Sequence, residues 1–156
     1  MNRALLLIIT LTVLVSLAGT AQEAKQLALG LGVDGNMNTR KGAALGGTVS
    51  AGYGIIPNLA AGIKIGFSHN FDTIMTLEPE VFARWYFLDS KNISPFVQAG
   101  LGTSVFFEDG AVYPAFLGDL SAGLRIPFSR QWYTEAYLRA GYPFIWGAGI
   151  IAGYRF

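Results

Sequence analysis

One short segment of the sequence contains the residue types of nucleophilic catalysis. Ser68 and His69 are adjacent, Asp72 follows them, and Glu78 and Glu80 come later; His69 is the single histidine of the chain. A serine deprotonated by a histidine, with an acid to orient the imidazole, could transfer an acyl group. Adjacent residues of a β-strand point to opposite faces, however, so Ser68 and His69 could not easily share a hydrogen bond. We therefore expect His69 to be a loop or interface residue and the chain not to be an enzyme.

Glu78 and Glu80 are spaced so that both carboxylates would lie on one face of a strand. Such a pair could perform acid–base chemistry, but Lys64 and Arg84 are its expected neighbours. The pattern therefore favours a buried network of ion pairs. The sequence indicates no metal centre or cofactor, because cysteine is absent, histidine occurs once, and the glycines alternate within strands instead of forming a phosphate loop.

The overall composition indicates a large apolar surface. Hydrophobic residues make up 52% of the 156 residues and charged residues only 13%, about half of the charged share that is usual in soluble domains. The formal net charge of +1 and the lack of a basic run argue against nucleic acid as a partner. The absence of cysteine excludes a disulfide framework and a thiol nucleophile.

The first residues have the three-part pattern of a secretory signal peptide. Arg3 supplies a positive charge, Ala4 to Val15 form an apolar run, and small residues follow, with Gly19 and Ala21 at the two positions that the peptidase reads. The run is short for a stable membrane span, so an N-terminal transmembrane anchor is the weaker alternative. We expect Sec-dependent export and cleavage before Gln22. The predicted domains are a signal peptide at 1–21 and one barrel domain at 22–156.

The elements that must position the charged residues are alternating strands. No apolar run after Ala21 approaches the ~20 residues that a membrane helix requires, so a membrane-spanning chain would have to close its strands into a barrel. Period-2 alternation is broken only at turn-rich positions, and it predicts eight antiparallel segments, the number of the smallest membrane barrels. They lie near Gln26 to Asn36, Ala44 to Tyr53, Leu59 to Ser68, Met75 to Phe87, Pro95 to Phe107, Ala111 to Ile126, Trp132 to Tyr142 and Trp146 to Phe156. The predicted fold class is all-β, an eight-stranded antiparallel up-and-down transmembrane β-barrel.

The distribution of charge predicts which face of each strand points inward. The charges lie on the faces opposite the apolar ones, and the acidic and basic residues balance. An eight-stranded barrel has a lumen just wide enough for side chains to fill. Unpaired charge in it would be unfavourable, so neutrality favours a plug over a channel. The predicted lumen charges are Asp34, Lys64, Glu78, Glu80, Arg84, Asp119, Arg125, Glu135, Arg139 and Arg155.

Aromatic residues cluster near the predicted strand ends, where a girdle at the depth of lipid headgroups is expected. They are Tyr53, Trp85, Phe87, Phe107, Trp132, Tyr142, Trp146, Tyr154 and Phe156. A soluble lipocalin-like barrel or β-sandwich is the alternative, but its outer surface would be unusually sparse in charge and rich in Gly and Ala.

The last strand carries a resemblance to a known class of proteins. Tyr154 and the terminal Phe156, preceded by alternating apolar residues, resemble the C-terminal assembly signal of Gram-negative outer-membrane barrels. The whole of residues 22–156 resembles, in pattern, the small eight-stranded OmpA/OmpX-like barrels. The resemblance implies a cell outer membrane location, lipid and lipopolysaccharide contact, and recognition of the last strand by the barrel assembly machinery. We further expect a monomer.

Family members of this type serve structural, adhesive, defensive or, in some cases, enzymatic roles, including lipid A modification. With a periplasmic N-terminus, the external loops would lie near Asn36 to Ala43, Asn70 to Ile74, Glu108 to Gly110 and Tyr142 to Ile145, and these are short for an adhesin. The sequence therefore predicts a non-enzymatic outer-membrane protein with an ion-pair-filled lumen, in envelope structure or surface interaction. A narrow, porin-like pore for small solutes or ions is the alternative, and a lipid A-modifying barrel enzyme comes after it.

Overall fold

The computed structural model describes residues 26–38, 42–70, 74–87 and 93–156. The predicted signal peptide lies outside these residues. Within them the chain forms eight strands, each hydrogen-bonded to the next, and the last pairs with the first to close the barrel. The strands are β1 Leu27–Asn38, β2 Gly42–Ile56, β3 Leu59–Asn70, β4 Met75–Tyr86, β5 Ser94–Glu108, β6 Ala111–Pro127, β7 Trp132–Tyr142 and β8 Phe144–Arg155.

Closure of the barrel follows from the antiparallel pairing of β1 and β8. Leu29 lies opposite Tyr154, and the register continues to Met37 opposite Trp146. Every neighbouring pair around the barrel is antiparallel. A closed sheet leaves no edge strand, so the backbone groups of each strand are paired on both sides. The predicted fold class is confirmed.

Alternation sorts the side chains onto an outer apolar face and an inner polar face. In β4, for example, Val81 points outward and is exposed, whereas Glu80 and Phe82 on either side of it are buried. The same pattern holds along β7, where Leu138 is exposed between buried Tyr137 and Arg139. Among the described residues, no helix is long and apolar enough to cross a membrane.

The barrel has two ends, which we name by the chain. The terminal mouth is the end at which Leu27 and Arg155 lie, together with the turns after β2 and β6. The distal mouth is the opposite end, where Asp109 and Gly110 turn the chain between β5 and β6 with φ angles of 49° and 80°. Gly tolerates this left-handed conformation without strain, and Asp is among the few other residues that adopt it readily.

The connections at the distal mouth are shorter than the sequence predicted. β7 ends at Tyr142 and β8 begins at Phe144, so Pro143 alone joins them. The connection lies within the predicted loop from Tyr142 to Ile145, but that range is too long, because inward-facing Phe144 and outward-facing Ile145 already belong to the alternating strand.

Outward-facing aromatic residues lie at both ends of the barrel. Trp132, Tyr154 and Phe156 pack edge to face near the terminal mouth, with ring centroids 5.0 Å and 4.8 Å apart. Tyr142 and Trp146 are exposed near the distal mouth. Two such belts are the arrangement that suits the two interfaces of a bilayer.

Candidate functional site

The inside of the barrel holds the charged residues that the sequence singled out. Nine of them are buried in the lumen, and Arg155 is half-buried at the terminal mouth. The nine are Asp34, Lys64, Glu78, Glu80, Arg84, Asp119, Arg125, Glu135 and Arg139. Their strands bring them to two separate clusters, one towards each end.

Small residues on the inner face make room for these long side chains. A Cβ atom on Gly100 would lie 2.6 Å from Glu80 Oε1 and closer still to Asp119, so a larger residue would require these carboxylates to move. A Cβ atom on Gly149 would likewise lie 2.5 Å from the hydroxyl of Tyr137. Gly100 and Gly149 thus each leave room for the charged or aromatic residue that is paired with them on the neighbouring strand, Asp119 and Tyr137.

The terminal cluster, which consists of Arg84, Arg125 and Glu135, is centred on one carboxylate oxygen. Oε1 of Glu135 accepts hydrogen bonds from Arg84 Nη1 at 2.7 Å and from Arg125 Nε at 2.7 Å, and it lies 2.6 Å from Arg125 Nη2. Gln98 Oε1 accepts from Arg84 Nε and Nη2 at 3.0 Å and 2.7 Å. Two guanidinium groups thus share a single buried negative charge.

Aromatic rings cover the faces of these two guanidinium groups. The Cζ atom of Arg84 lies 4.2 Å from the ring centroid of Phe96. That of Arg125 lies 4.1 Å from the ring of Tyr133 and 4.8 Å from that of Tyr86. Cation–π attraction contributes most where water is excluded, and it offsets part of the desolvation of the cations.

The distal cluster contains Arg139 and Lys64 with four carboxylates. Arg139 Nη2 donates to Glu78 Oε2 at 2.9 Å and lies 3.6 Å from Asp34 Oδ2. Its Nη1 lies 3.9 Å from Asp119 Oδ2. The hydroxyl of Tyr137 donates to Asp34 Oδ2 at 3.3 Å, which ties the aromatic layer to the ions. One guanidinium group therefore contacts three acidic side chains.

Lys64 forms the second branch of the distal cluster. Its Nζ lies 3.0 Å from Glu80 Oε1 and 3.8 Å from Asp119 Oδ2. Gln98 Nε2 donates to the same Glu80 oxygen at 3.4 Å and so links the distal cluster to the terminal one. Glu78 and Glu80 thus bind different cations, Arg139 and Lys64 respectively.

The two clusters carry opposite charge, although the lumen as a whole is balanced. The distal cluster has four carboxylates and two cations. The terminal cluster has two arginines and one carboxylate, and Arg155 at the terminal mouth adds a third cation. The distal half is therefore negative and the terminal half positive when all groups are ionised.

Little space remains around these side chains. One cavity, of about 30 Å³, opens at the terminal mouth, and another, of about 10 Å³, lies towards the distal mouth beside Asn70 and Glu78. Leu117 and Phe144 are fully buried in the distal half and add apolar bulk to it. The described part of the lumen is thus filled by ion pairs and rings.

The serine and histidine of the sequence analysis do not come together. Ser68 is buried in the lumen, whereas His69 lies on the exposed face of β3. Asp72 lies outside the described residues. Within the ranges that the structure describes, no group of three or more metal-ligating side chains is placed to hold a metal ion.

Sequence reasoning did not single out several residues that shape the lumen. Gln98 bridges the clusters, and Phe96, Tyr133, Leu117 and Phe144 fill the space around the ions. A signal was available for Phe96, Tyr133 and Leu117, because each lies two positions from a polar or charged residue that faces inward on the same strand, namely Gln98, Glu135 and Asp119. The sequence analysis selected lumen residues by their charge, and it therefore did not include the uncharged side chains that face the same way.

Comparison with known proteins gives structural likeness without sequence matches. No protein-family model matches the chain, and no curated protein matches it in sequence. The N-terminal β-barrel domain of OprF from Pseudomonas aeruginosa has a TM-score of 0.69 and 17% identity, over 86% of this chain and 100% of that one. OprG of the same organism has a TM-score of 0.68 and 10% identity, over 87% and 98%. Ail of Yersinia pestis has a TM-score of 0.56 and 13% identity, over 85% and 99%. At these identities the likeness establishes the fold.

Proposed function

We propose, on the premise that the chain has the fold of the small eight-stranded outer-membrane barrels, that it is an integral outer-membrane protein without enzymatic activity. Its role would be in envelope structure or surface interaction, after Sec-dependent export and removal of residues 1–21. The observation that carries the proposal is the combination of an apolar outer face with aromatic belts and a lumen filled by ion pairs.

The dimensions of the strands support a membrane location. The shortest strand, β7, has 11 residues, and the longest, β6, has 17. A tilted strand needs about 9–11 residues to cross the hydrocarbon core of a bilayer. The outward side chains along this length are apolar, and a soluble protein seldom exposes an apolar surface that encircles it.

The contents of the lumen favour a structural role over conduction. A solute or hydrated ion that moved along the barrel would have to displace the rings around Arg84 and Arg125 and separate both from Glu135. The cavity at the terminal mouth, about 30 Å³, holds about two water molecules, and the one towards the distal mouth, about 10 Å³, holds at most one. We therefore expect a closed barrel.

Recordings on refolded protein in planar bilayers would test the closed lumen. We expect a silent membrane at concentrations at which the protein is inserted, as shown by recovery from liposomes of the same lipid. Discrete and stable conductance steps would overturn the closed lumen and bring forward the narrow pore.

A second experiment tests the membrane location itself. A membrane barrel migrates faster on a gel when it is not boiled, because the closed sheet survives the detergent. We expect this shift for the mature chain and its recovery in the outer-membrane fraction. Partition into the aqueous phase, with no shift on boiling, would support a soluble lipid-binding barrel instead.

The proposed partners follow from the outer face and the last strand. Lipid and lipopolysaccharide would cover the apolar face, and the barrel assembly machinery would read Tyr154 and Phe156; we expect a monomer. With a periplasmic N-terminus, the terminal mouth faces the periplasm. The short distal turn at Asp109 and Gly110 offers little surface for a large external ligand.

The non-enzymatic part of the proposal has its own test. Because Ser68 and His69 lie on opposite faces of β3, we expect a His69→Ala variant to leave the acylation pattern of lipid A in the host unchanged. A change in that pattern, relative to cells that express the unaltered chain at the same level, would revive the lipid A-modifying enzyme.

A further inference from the structure

The cavity at the terminal mouth is lined by cations and by small residues. Arg84, Arg125 and Arg155 contribute to its wall, together with Ala28, which pairs with Arg155 on the neighbouring strand, and Ser50 on β2, across the barrel from Arg125 on β6. The small side chains on β1 and β2 leave this part of the lumen unfilled. The free space therefore coincides with the positive half of the barrel.

Among the described residues, Arg155 is the cation in this wall that has no counter-ion. No carboxylate within residues 26–38, 42–70, 74–87 and 93–156 forms an ion pair with it. Its Nε is buried and has no hydrogen-bond partner there, and its Cζ lies 6.0 Å from the ring of Tyr133. An unsatisfied buried donor on a charged group is unfavourable, so the group is poised to accept a ligand.

Glu135 cannot serve as the counter-ion of Arg155, because Arg84 and Arg125 already bind it. They already share its Oε1, so the one carboxylate of the terminal cluster leaves a net positive charge beside the cavity. Each guanidinium group has five N–H donors, and these contacts use only some of the donors on Arg125. Arg125 and Arg155 together thus present spare donors to the same small space.

We propose that the terminal mouth binds a small oxyanion, with phosphate as its chemical type. The oxyanion would accept hydrogen bonds from Arg155 and from the spare donors of Arg125, and the hydroxyl of Ser50 could donate to it from the opposite wall. Guanidinium groups match the geometry of phosphate oxygens, and such charge-assisted hydrogen bonds are the stronger ones. The cavity holds about two water molecules but opens at the terminal mouth, so a phosphate or a phosphomonoester end would enter with some of its oxygens and remain partly outside.

Titration of the refolded mature protein with inorganic phosphate tests this site. The protein would be held in a nonionic detergent without phosphate, at constant ionic strength set by sodium chloride, and its thermal midpoint and calorimetric heats followed. We expect saturable binding. An Arg155→Gln variant should bind at least tenfold more weakly. Because Arg155 forms no ion pair with a described residue, this variant should still show the gel shift of a folded barrel.

Arg130→Gln is the matched control, because Arg130 is exposed on the turn between β6 and β7 at the same mouth and is not part of the cavity wall. It removes the same charge and should bind phosphate as the unaltered protein does. Ala28→Leu, which fills the cavity without a change in charge, should weaken binding as Arg155→Gln does. The absence of saturable binding both of inorganic phosphate and of a phosphate-bearing lipid, or equal binding by Arg155→Gln and Arg130→Gln, would overturn the proposal.

A second arm separates the two sources of such a group. Micelles that contain dihexanoyl phosphatidic acid would replace inorganic phosphate in the same series of variants. Binding of inorganic phosphate that depends on Arg155 supports a soluble oxyanion. Binding of the lipid alone, again dependent on Arg155, supports a phospholipid headgroup bound at the same cations.

Discussion

Substitution of Glu135 by Gln should destabilise the barrel more than any other single loss of charge in the terminal cluster. Glu135 is 1% exposed, and its Oε1 contacts Arg84 Nη1 at 2.7 Å and Arg125 Nη2 at 2.6 Å. Glutamine keeps the shape and one acceptor oxygen but removes the negative charge. Both guanidinium groups would then be buried beside each other without a counter-ion.

The size of the effect can be bounded from two directions. At an effective dielectric constant of 20, one ion pair at these separations contributes about 6 kcal/mol, so the two pairs set an upper bound of roughly 12 kcal/mol. The amide still accepts hydrogen bonds, and loss of the buried carboxylate removes its own desolvation penalty. Measured losses on breaking a buried pair are about 3–5 kcal/mol, and we expect a decrease in the free energy of unfolding in that range.

Urea unfolding of refolded protein in detergent micelles, followed by the gel shift between folded and unfolded forms, would measure this change. Asp109→Asn is the matched control, because it removes the same charge from an exposed turn at which asparagine tolerates the positive φ. Adding Arg125→Met to Glu135→Gln removes one of the two stranded cations and should restore part of the stability. A loss below about 1 kcal/mol for Glu135→Gln, similar to that of the control, would refute the shared-carboxylate reasoning.

Two further predictions concern the outer surface. Leu120 is 70% exposed at the middle of β6 and Val112 is 57% exposed near its distal end. Because the cost of a lipid-facing charge increases with depth, Leu120→Arg in a lipid bilayer should lower the free energy of unfolding by about 2–4 kcal/mol. Val112→Arg should lower it by at most about 1 kcal/mol. Equal effects, or none, in the same urea titration would argue against a lipid-facing surface. Phe156 and Phe128 are each 66% exposed at the terminal mouth; Phe156→Ala should reduce the amount of folded barrel assembled in cells, whereas Phe128→Ala should not. Equal assembly of the two variants, quantified by the gel shift in membrane fractions, would show that the last residue is not read.

The fold could be predicted because the alternation within each strand shows by itself which side chains point inward. In β4, Glu78, Glu80 and Arg84 share one parity with Phe82, and Val81 has the other. A one-residue error in such a strand exchanges its two faces, so the assignment is determined locally. Eight such segments, with short turns between them, leave few arrangements other than a closed barrel.

The contacts inside the lumen could not be predicted in the same way. The contacts between inward residues depend on the stagger of the eight strands around the barrel. The sequence of a single strand does not determine that stagger. The sequence indicates that Glu78 and Glu80 have basic neighbours, but it does not assign Arg139 to the first and Lys64 to the second. Nor does it show that Arg84 shares a carboxylate with another arginine.

The charge-filled lumen has a structural explanation that does not require conduction. If the inward residues were apolar, each strand would be apolar on both faces. Nothing in the side-chain pattern would then prevent a strand from shifting its register by one residue relative to its neighbours. With Lys64 inward and Ile63 and Ile65 outward on β3, a slip by one residue would expose a charge to lipid. That exposure would destabilise the slipped form by about 2–4 kcal/mol near the centre of the bilayer. The inward charges therefore fix the register of each strand, while the ion pairs between them neutralise the lumen. A polar interior is thus compatible with a closed barrel that has a purely structural role.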